Sequence, residues 1–395
     1  MSLSKKQIIL TIILIPSLLF NYFTFSIIDQ DNNLSKFTTY LIFGFNIFNI
    51  LFGFIYYKKN FKIFISILAY CILVLIFFDF TFEKILNTKS INQDDDELGW
   101  VLRANKEVSF NQKTSQGKNY KVKFKSSPIK GFREYGNINN DIKKILIIGD
   151  SFTCGPYASN NEMYYSIIKK KFKENDINLE WFVMGASGYG NAQQFQLLKS
   201  YFKEIEPSII LYQFCVNDFF DNSFEISKLS TSHDQFYRRS YFDGNDFFKN
   251  DNLSSKLYRF FYKNSFIFKK IDQVYSYQKF KKYGRFTKDI PDQYLANSIQ
   301  NTQNIFLKIR ELIGEETIFF SINCPDKKNE FLSINWEKII KSINGFPITE
   351  PVTQLFKANE LGKDIFYEDG GHLNFLGNEI YGETTAIEMI KLLKK

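Results

Sequence analysis

Apolar positions divide the 395-residue chain into two unlike parts. Near the N-terminus they run on without a period. Ile8 to Ile28, Thr38 to Tyr57 and Ile63 to Phe82 are nearly free of charge, with Asp79 near the end of the third. Each run is close to the roughly 20 residues that cross a bilayer core as a helix, so three transmembrane helices are expected within residues 1–82. The first run follows Lys5 and Lys6 but is not read as a cleaved signal peptide, being long and followed by two more spans. Lys58, Lys59 and Lys62 separate the second run from the third, whereas "DQDNNLSK" between the first and second is acidic with one lysine. Basic loops stay in the cytoplasm. The N-terminus is therefore expected inside, as for a bacterial inner-membrane protein, and everything after about Glu83 outside.

Beyond the third run the pattern changes. Residues 83–142 read as a polar linker and leader: "EKILNTKSINQDDDELG" leaves the membrane, and "YKVKFKSS" alternates as an edge strand does. From Lys143 short apolar runs alternate with amphipathic stretches. Strands are expected at Lys144 to Gly149, Trp181 to Met184, Ser208 to Phe214 and Thr317 to Asn323. Helices are expected at Met163 to Lys173, Gln193 to Glu206, Tyr294 to Leu312 and Leu376 to Leu393. Strands that are continuously apolar are buried on both faces, which predicts an α/β fold with a doubly wound parallel sheet. The polar, aromatic stretch at about 219–291 interrupts the alternation and reads as a helical insertion over the rim of the sheet. No internal repeat is evident.

Composition changes little in this picture. The chain is 45% hydrophobic with 45 Phe and 23 Tyr, yet 23% charged, as suits a membrane part joined to a soluble one. The net charge of +8 comes with no compact basic block carrying a nucleic-acid-binding signature, so no nucleic-acid partner is expected. Four cysteines without a CxxC pair and two histidines support neither a disulfide framework nor structural zinc.

The candidate chemistry lies where the strands end. The first ends in "GDS" (Gly149, Asp150, Ser151), the second in "MGASGYGNAQQ" (Gly185, Gly188, Gly190) and the third in "FCVND" (Asn217, Asp218). "EDGGHLN", near the C-terminus, places Asp369 three residues before His372. In a doubly wound sheet such loops converge on one rim. A serine hydroxyl is a weak nucleophile until a base takes its proton. Histidine is the suitable base, and a carboxylate on its other nitrogen fixes the tautomer. The tetrahedral oxyanion needs fixed donors, for which the Ser151 N–H, the Gly188 N–H and the Asn217 amide are candidates.

These blocks resemble the SGNH, or GDSL-type, hydrolases, named for Ser, Gly, Asn and His in four blocks. The resemblance runs from about Lys143 to the C-terminus, and "LGWVLRANKEVSF" and "SSPIKGFRE" are similar to leader segments of membrane-attached members. It implies a flavodoxin-like sandwich, Ser151 as nucleophile, His372 as base and Asp369 as the acid of the triad. It also implies an oxyanion hole of Ser151, Gly188 and Asn217, no metal or organic cofactor, and an acyl or acetyl ester of a glycan or lipid as substrate. Cys215 stands where the family usually has glycine, and Leu373 where proline often follows the histidine.

Other residues have competing readings. "GASGYG" nearly matches the nucleophile elbow of α/β-hydrolases, which would make Ser187 the nucleophile, but Tyr189 occupies the place of its second glycine. Asp150 and Asp218 are expected to anchor their loops. His233 is expected in a solvated loop. Cys154 and Cys215 are expected as small buried residues, with a disulfide between them as the alternative. Tyr237, Arg238 and Arg239 read as an exposed charged face, or as contacts to an anionic or sugar substrate. The expected activity is a membrane-anchored extracytoplasmic serine esterase. The alternatives are an O-acyltransferase using the same acyl-enzyme and an inactive glycan-binding protein.

Overall fold

A computed structural model describes residues 90–325 and 329–394, with a few single positions between 46 and 79. The three apolar runs of the N-terminus therefore lie outside the described residues, isolated positions apart. Among the described residues no helix is long and apolar enough to cross a membrane. The chain forms two compact units. One groups residues 1–86 with 261–278; the other holds residues 87–260 and 279–395 and carries every residue discussed below.

The core of the second unit is a six-stranded sheet. Its strands are β5 (Phe132–Tyr135), β6 (Lys144–Gly149), β7 (Glu180–Gly185), β8 (Ile209–Phe214), β11 (Ile318–Asn323) and β12 (Phe346–Ile348). The order is β12-β11-β8-β6-β7-β5. Every neighbouring pair is parallel except β5 with β7, so the doubly wound sheet carries one antiparallel edge strand contributed by the leader.

The central strands are buried on both sides, and alternate residues feed two cores. Leu146, Ile148, Phe182, Met184, Ile210 and Tyr212 pack under the helices Asn191–Ile205, Asp292–Ile313 and Glu330–Ser342. Ile145, Ile147, Val183, Ile209, Leu211 and Phe320 pack under Tyr164–Glu174, Glu350–Glu360 and Phe375–Leu393. The result is helix, sheet and helix in three layers, with the loops after β6, β7 and β8 gathered at one rim.

The described part of the leader is folded into strands. The acidic run joins β1 (Asn92–Asp95), which pairs antiparallel with β2 (Gly99–Leu102). The stretch "YKVKFK" lies in β4 (Asn119–Lys125), paired with β3 (Glu107–Lys113) rather than with the main sheet. The insertion is likewise not purely helical: β9 (Ser240–Phe242) and β10 (Phe247–Lys249) form a hairpin within it.

Candidate active site

Strands β6 and β7 end side by side on Gly149 and Gly185. A Cβ on Gly185 would strike the Gly149 carbonyl, so the two turns can lie this close only without side chains. The chain leaves β6 into a single helical turn, Ser151–Cys154, whose first N–H groups are capped by Asp150: its Oδ1 accepts from the Phe152 N–H at 3.0 Å.

Ser151 and His372 meet at the rim, with Oγ and Nε2 2.8 Å apart. The other ring nitrogen, Nδ1, lies 2.5 Å from Asp369 Oδ2, while Asp369 Oδ1 accepts the backbone N–H groups of Gly371 and His372 at 2.9 Å. Burial works to raise the Asp369 carboxyl, but the hydrogen bonds and charge of His372 outweigh it and hold it below its ordinary value. A carboxylate on Nδ1 fixes the proton there and turns the Nε2 lone pair toward the serine hydroxyl. Phe152 and Tyr157 also pack against the imidazole, with centroids 5.0 and 4.4 Å away, and limit its rotation.

The leader holds this arrangement from two sides. The tip of the β3–β4 hairpin bonds the loop that carries Asp369: the Ser115 N–H donates to Phe366 O and the Glu368 N–H to Lys113 O, both at 3.0 Å. Arg133 on β5 is buried and clasps the turn after Ser151–Cys154. It donates to the carbonyls of Cys154, Gly155 at 2.8 Å and Ala158 at 3.1 Å, with its guanidinium 3.9 Å from the Phe124 ring.

The glycine loop after β7 is fixed from outside the sheet. Gly188 has φ +75°, a left-handed conformation that favours glycine. The Trp100 indole N–H donates to Ser187 O at 2.9 Å, and the hydroxyl of buried Tyr189 donates to Trp100 O at 2.5 Å. Tyr189 thus fills a structural place where an elbow would need glycine. The His372 imidazole contacts Ser151, not Ser187.

Asn217 opens the helix Asn217–Asn222, and its Nδ2 donates to Asp221 Oδ2 at 3.0 Å. Asp218 is buried, and its Oδ2 accepts from the Cys215 N–H at 3.1 Å and Asn191 Nδ2 at 2.9 Å. Burial raises the Asp150 carboxyl, against the Phe152 hydrogen bond and the nearby His372, which lower it. Burial and the charge of Asp150 raise Asp218.

Three expectations are corrected here. Cys215 pairs with Cys324, not with Cys154, which is a buried free thiol; β8 and β11 are adjacent, and their ends place the Cα atoms 4.9 Å apart. Arg238 and Arg239 are not an exposed face: Arg239 is 1% exposed and ion-paired to Asp221, and Arg238 is paired to Asp94. His233 starts a short helix, His233–Arg238, with Nε2 3.1 Å from Lys279 Nζ, rather than lying in a solvated loop. Among the described residues the group of possible metal ligands is Asp150 with Cys215 and Cys324, and the disulfide leaves it no thiolate. Trp100, Arg133, Tyr157 and Asp221 are not assigned to a site by the sequence alone; the signals for the first two are the leader segments "LGWVLRANKEVSF" and "SSPIKGFRE" that contain them.

No family model and no curated protein matches the chain. Solved structures resembling it include the psychrotrophic esterase EstA from Pseudoalteromonas sp. (11% identity, TM-score 0.38, covering 64% of this chain and 100% of that one). A family 3 carbohydrate esterase of Clostridium thermocellum gives 12% identity and a TM-score of 0.38, covering 64% of this chain and 98% of that one. A lipolytic G-D-S-L family protein from Veillonella parvula gives 13% and 0.34, covering 62% and 96%. Likeness this slight carries no argument about the chemistry of this chain.

Proposed function

We propose that the chain is a serine esterase of the SGNH type. The observation that carries this reading is the unbroken chain from Ser151 Oγ to His372 Nε2 at 2.8 Å and from His372 Nδ1 to Asp369 Oδ2 at 2.5 Å. Ser151 gives its proton to Nε2 as Oγ bonds to the acyl carbon, and the carbonyl electrons move onto oxygen. The N–H groups of Ser151 and Gly188 and the side-chain amide of Asn217 receive that oxyanion. When the intermediate collapses, the ester C–O bond breaks and the leaving alcohol takes the proton from the imidazolium. Water, deprotonated by the same nitrogen, then releases the acyl group as a carboxylic acid and restores Ser151.

The substrate class is an acyl ester of an envelope glycan or lipid, reached by a catalytic unit outside the membrane and anchored by three N-terminal helices. The apolar runs and the lysine asymmetry support the anchor, and the Cys215–Cys324 disulfide suits an oxidising compartment. Full-length protein should hydrolyse short acyl esters, and Ser151→Ala and His372→Ala should each lower kcat by at least about a thousandfold. Equal activity in Ser151→Ala would end the proposal. A glycan acceptor that accelerates turnover and becomes acylated would redirect it from hydrolysis to transfer. A reporter fused at Lys395 and active only in the cytoplasm would refute the topology.

A further inference from the structure

Two residues that take no part in the triad hold two of the three candidate oxyanion donors from outside the sheet: Trp100, from the leader, the Gly188 N–H, and Arg239, from the insertion, the Asn217 amide by way of Asp221. In a trans peptide the carbonyl and the following N–H point in opposite directions. The Ser187 carbonyl belongs to the peptide whose N–H is that of Gly188, and it accepts from Trp100 Nε1 at 2.9 Å. Trp100 thereby sets the direction of the Gly188 N–H. Arg239 Nη2 donates at 2.8 Å to the Gly188 carbonyl and at 3.1 Å to Gln235 Oε1. Its Nη1 lies 2.6 Å from Asp221 Oδ1, and the other oxygen of that carboxylate accepts from Asn217 Nδ2 at 3.0 Å. One guanidinium therefore fixes the Gly188–Tyr189 peptide, the neighbour of the one that carries the Gly188 N–H, and, through Asp221, the Asn217 amide. Its Cζ lies 5.9 Å from the centroid of the Trp100 ring, so the two braces also support each other.

We infer that Trp100 and Arg239 are positioning residues that preorganise the oxyanion hole, and that this is a role of both the leader and the insertion. The inference rests on the esterase reading above. Only a planar, forked cation can reach Asp221 and Gly188 O together; an ammonium on a flexible stem cannot reproduce the geometry. Arg285, 3.3 Å from Asp221, still pairs that carboxylate when Arg239 is replaced, so its charge is not abandoned.

The test compares full-length Arg239→Lys, Arg239→Met and Trp100→Phe with Arg259→Met, which removes an insertion arginine paired to Asp251. A short-chain aryl acetate and a boronic acid that binds serine hydrolases as a tetrahedral anion serve as probes. Arg239→Lys and Trp100→Phe should each lower kcat about 10- to 100-fold with KM changed less than about twofold, a fraction of the 100- to 1000-fold cost of deleting a donor. Boronate inhibition should weaken by the same factor as kcat/KM, and Arg259→Met should behave as wild type. If Arg239→Met does not fold, Arg239→Lys and Trp100→Phe decide the matter. Wild-type kcat and boronate affinity in both would overturn the inference, as would a loss confined to KM. An inactive wild type would instead refute the esterase reading.

Discussion

Replacing Gly188 by alanine asks how much of the proposed chemistry depends on one backbone N–H. At φ +75° the substitution carries left-handed strain of about 1–2 kcal/mol. The added Cβ would lie 2.9 Å from Gln235 Nε2, inside the 3.4 Å at which ordinary contact begins, and 3.7 Å from the Trp100 ring. Gln235 can swing away, but its Oε1 accepts from Arg239, and losing that bond costs about 1 kcal/mol. The total is about 2–3 kcal/mol of stability. Gly362→Ala is a matched control: φ is +77° with nothing within 4 Å of the new Cβ, so it should cost only the strain, about 1–2 kcal/mol. Urea melts measure both, and kcat on a short-chain aryl ester separates them. Gly188→Ala should lose about 10- to 1000-fold in kcat, because the crowding falls on a peptide aimed at the oxyanion, while Gly362→Ala retains wild-type kcat. Full kcat in Gly188→Ala, or equal losses in both, would refute the reasoning.

Arg133→Met would leave buried carbonyls at Cys154, Gly155 and Ala158 without their donor, and urea melts should show a loss of about 3 kcal/mol or more. Asp218 has a folded carboxyl raised above its ordinary 3.8, so the folded chain keeps a proton that the unfolded chain releases, and stability falls as pH climbs from 3.8 through the raised value. Asp218→Asn should flatten that slope and gain on the wild type as pH climbs above about 4, read from melts across a pH series. An unchanged slope would contradict the assignment. The Cys215–Cys324 bridge joins positions 109 apart in sequence, for which chain entropy gives about 4–5 kcal/mol. Reductant should lower the wild type's unfolding free energy, extrapolated from urea melts, by that amount and leave Cys215→Ser/Cys324→Ser unmoved.

What could be read from sequence was set by local chemistry. Gly-Asp-Ser after four apolar residues, and an aspartate three residues before a histidine, are short-range patterns, and the structure brings Ser151, His372 and Asp369 together at the rim. Elements β6 and β8 are apolar runs buried on both faces and stand out as such, whereas β12 and β5, with three and four residues, are too short for periodicity to reveal. The braces were illegible for a different reason. Trp100 meets Ser187 across 87 positions and Arg239 meets Gly188 across 51, so their partners are set by how leader and insertion pack, not by spacing. A tryptophan and an arginine on polar segments look like surface residues until burial is known. The cysteine pairing failed likewise: Cys215 and Cys324 become neighbours only once β8 and β11 are adjacent in the sheet.

The most direct measurement is the site of covalent modification by a fluorophosphonate, located by peptide mass spectrometry on the full-length protein. The account predicts one stoichiometric adduct on Ser151, abolished in His372→Ala. An adduct on Ser187, or no adduct on active protein, would contradict it.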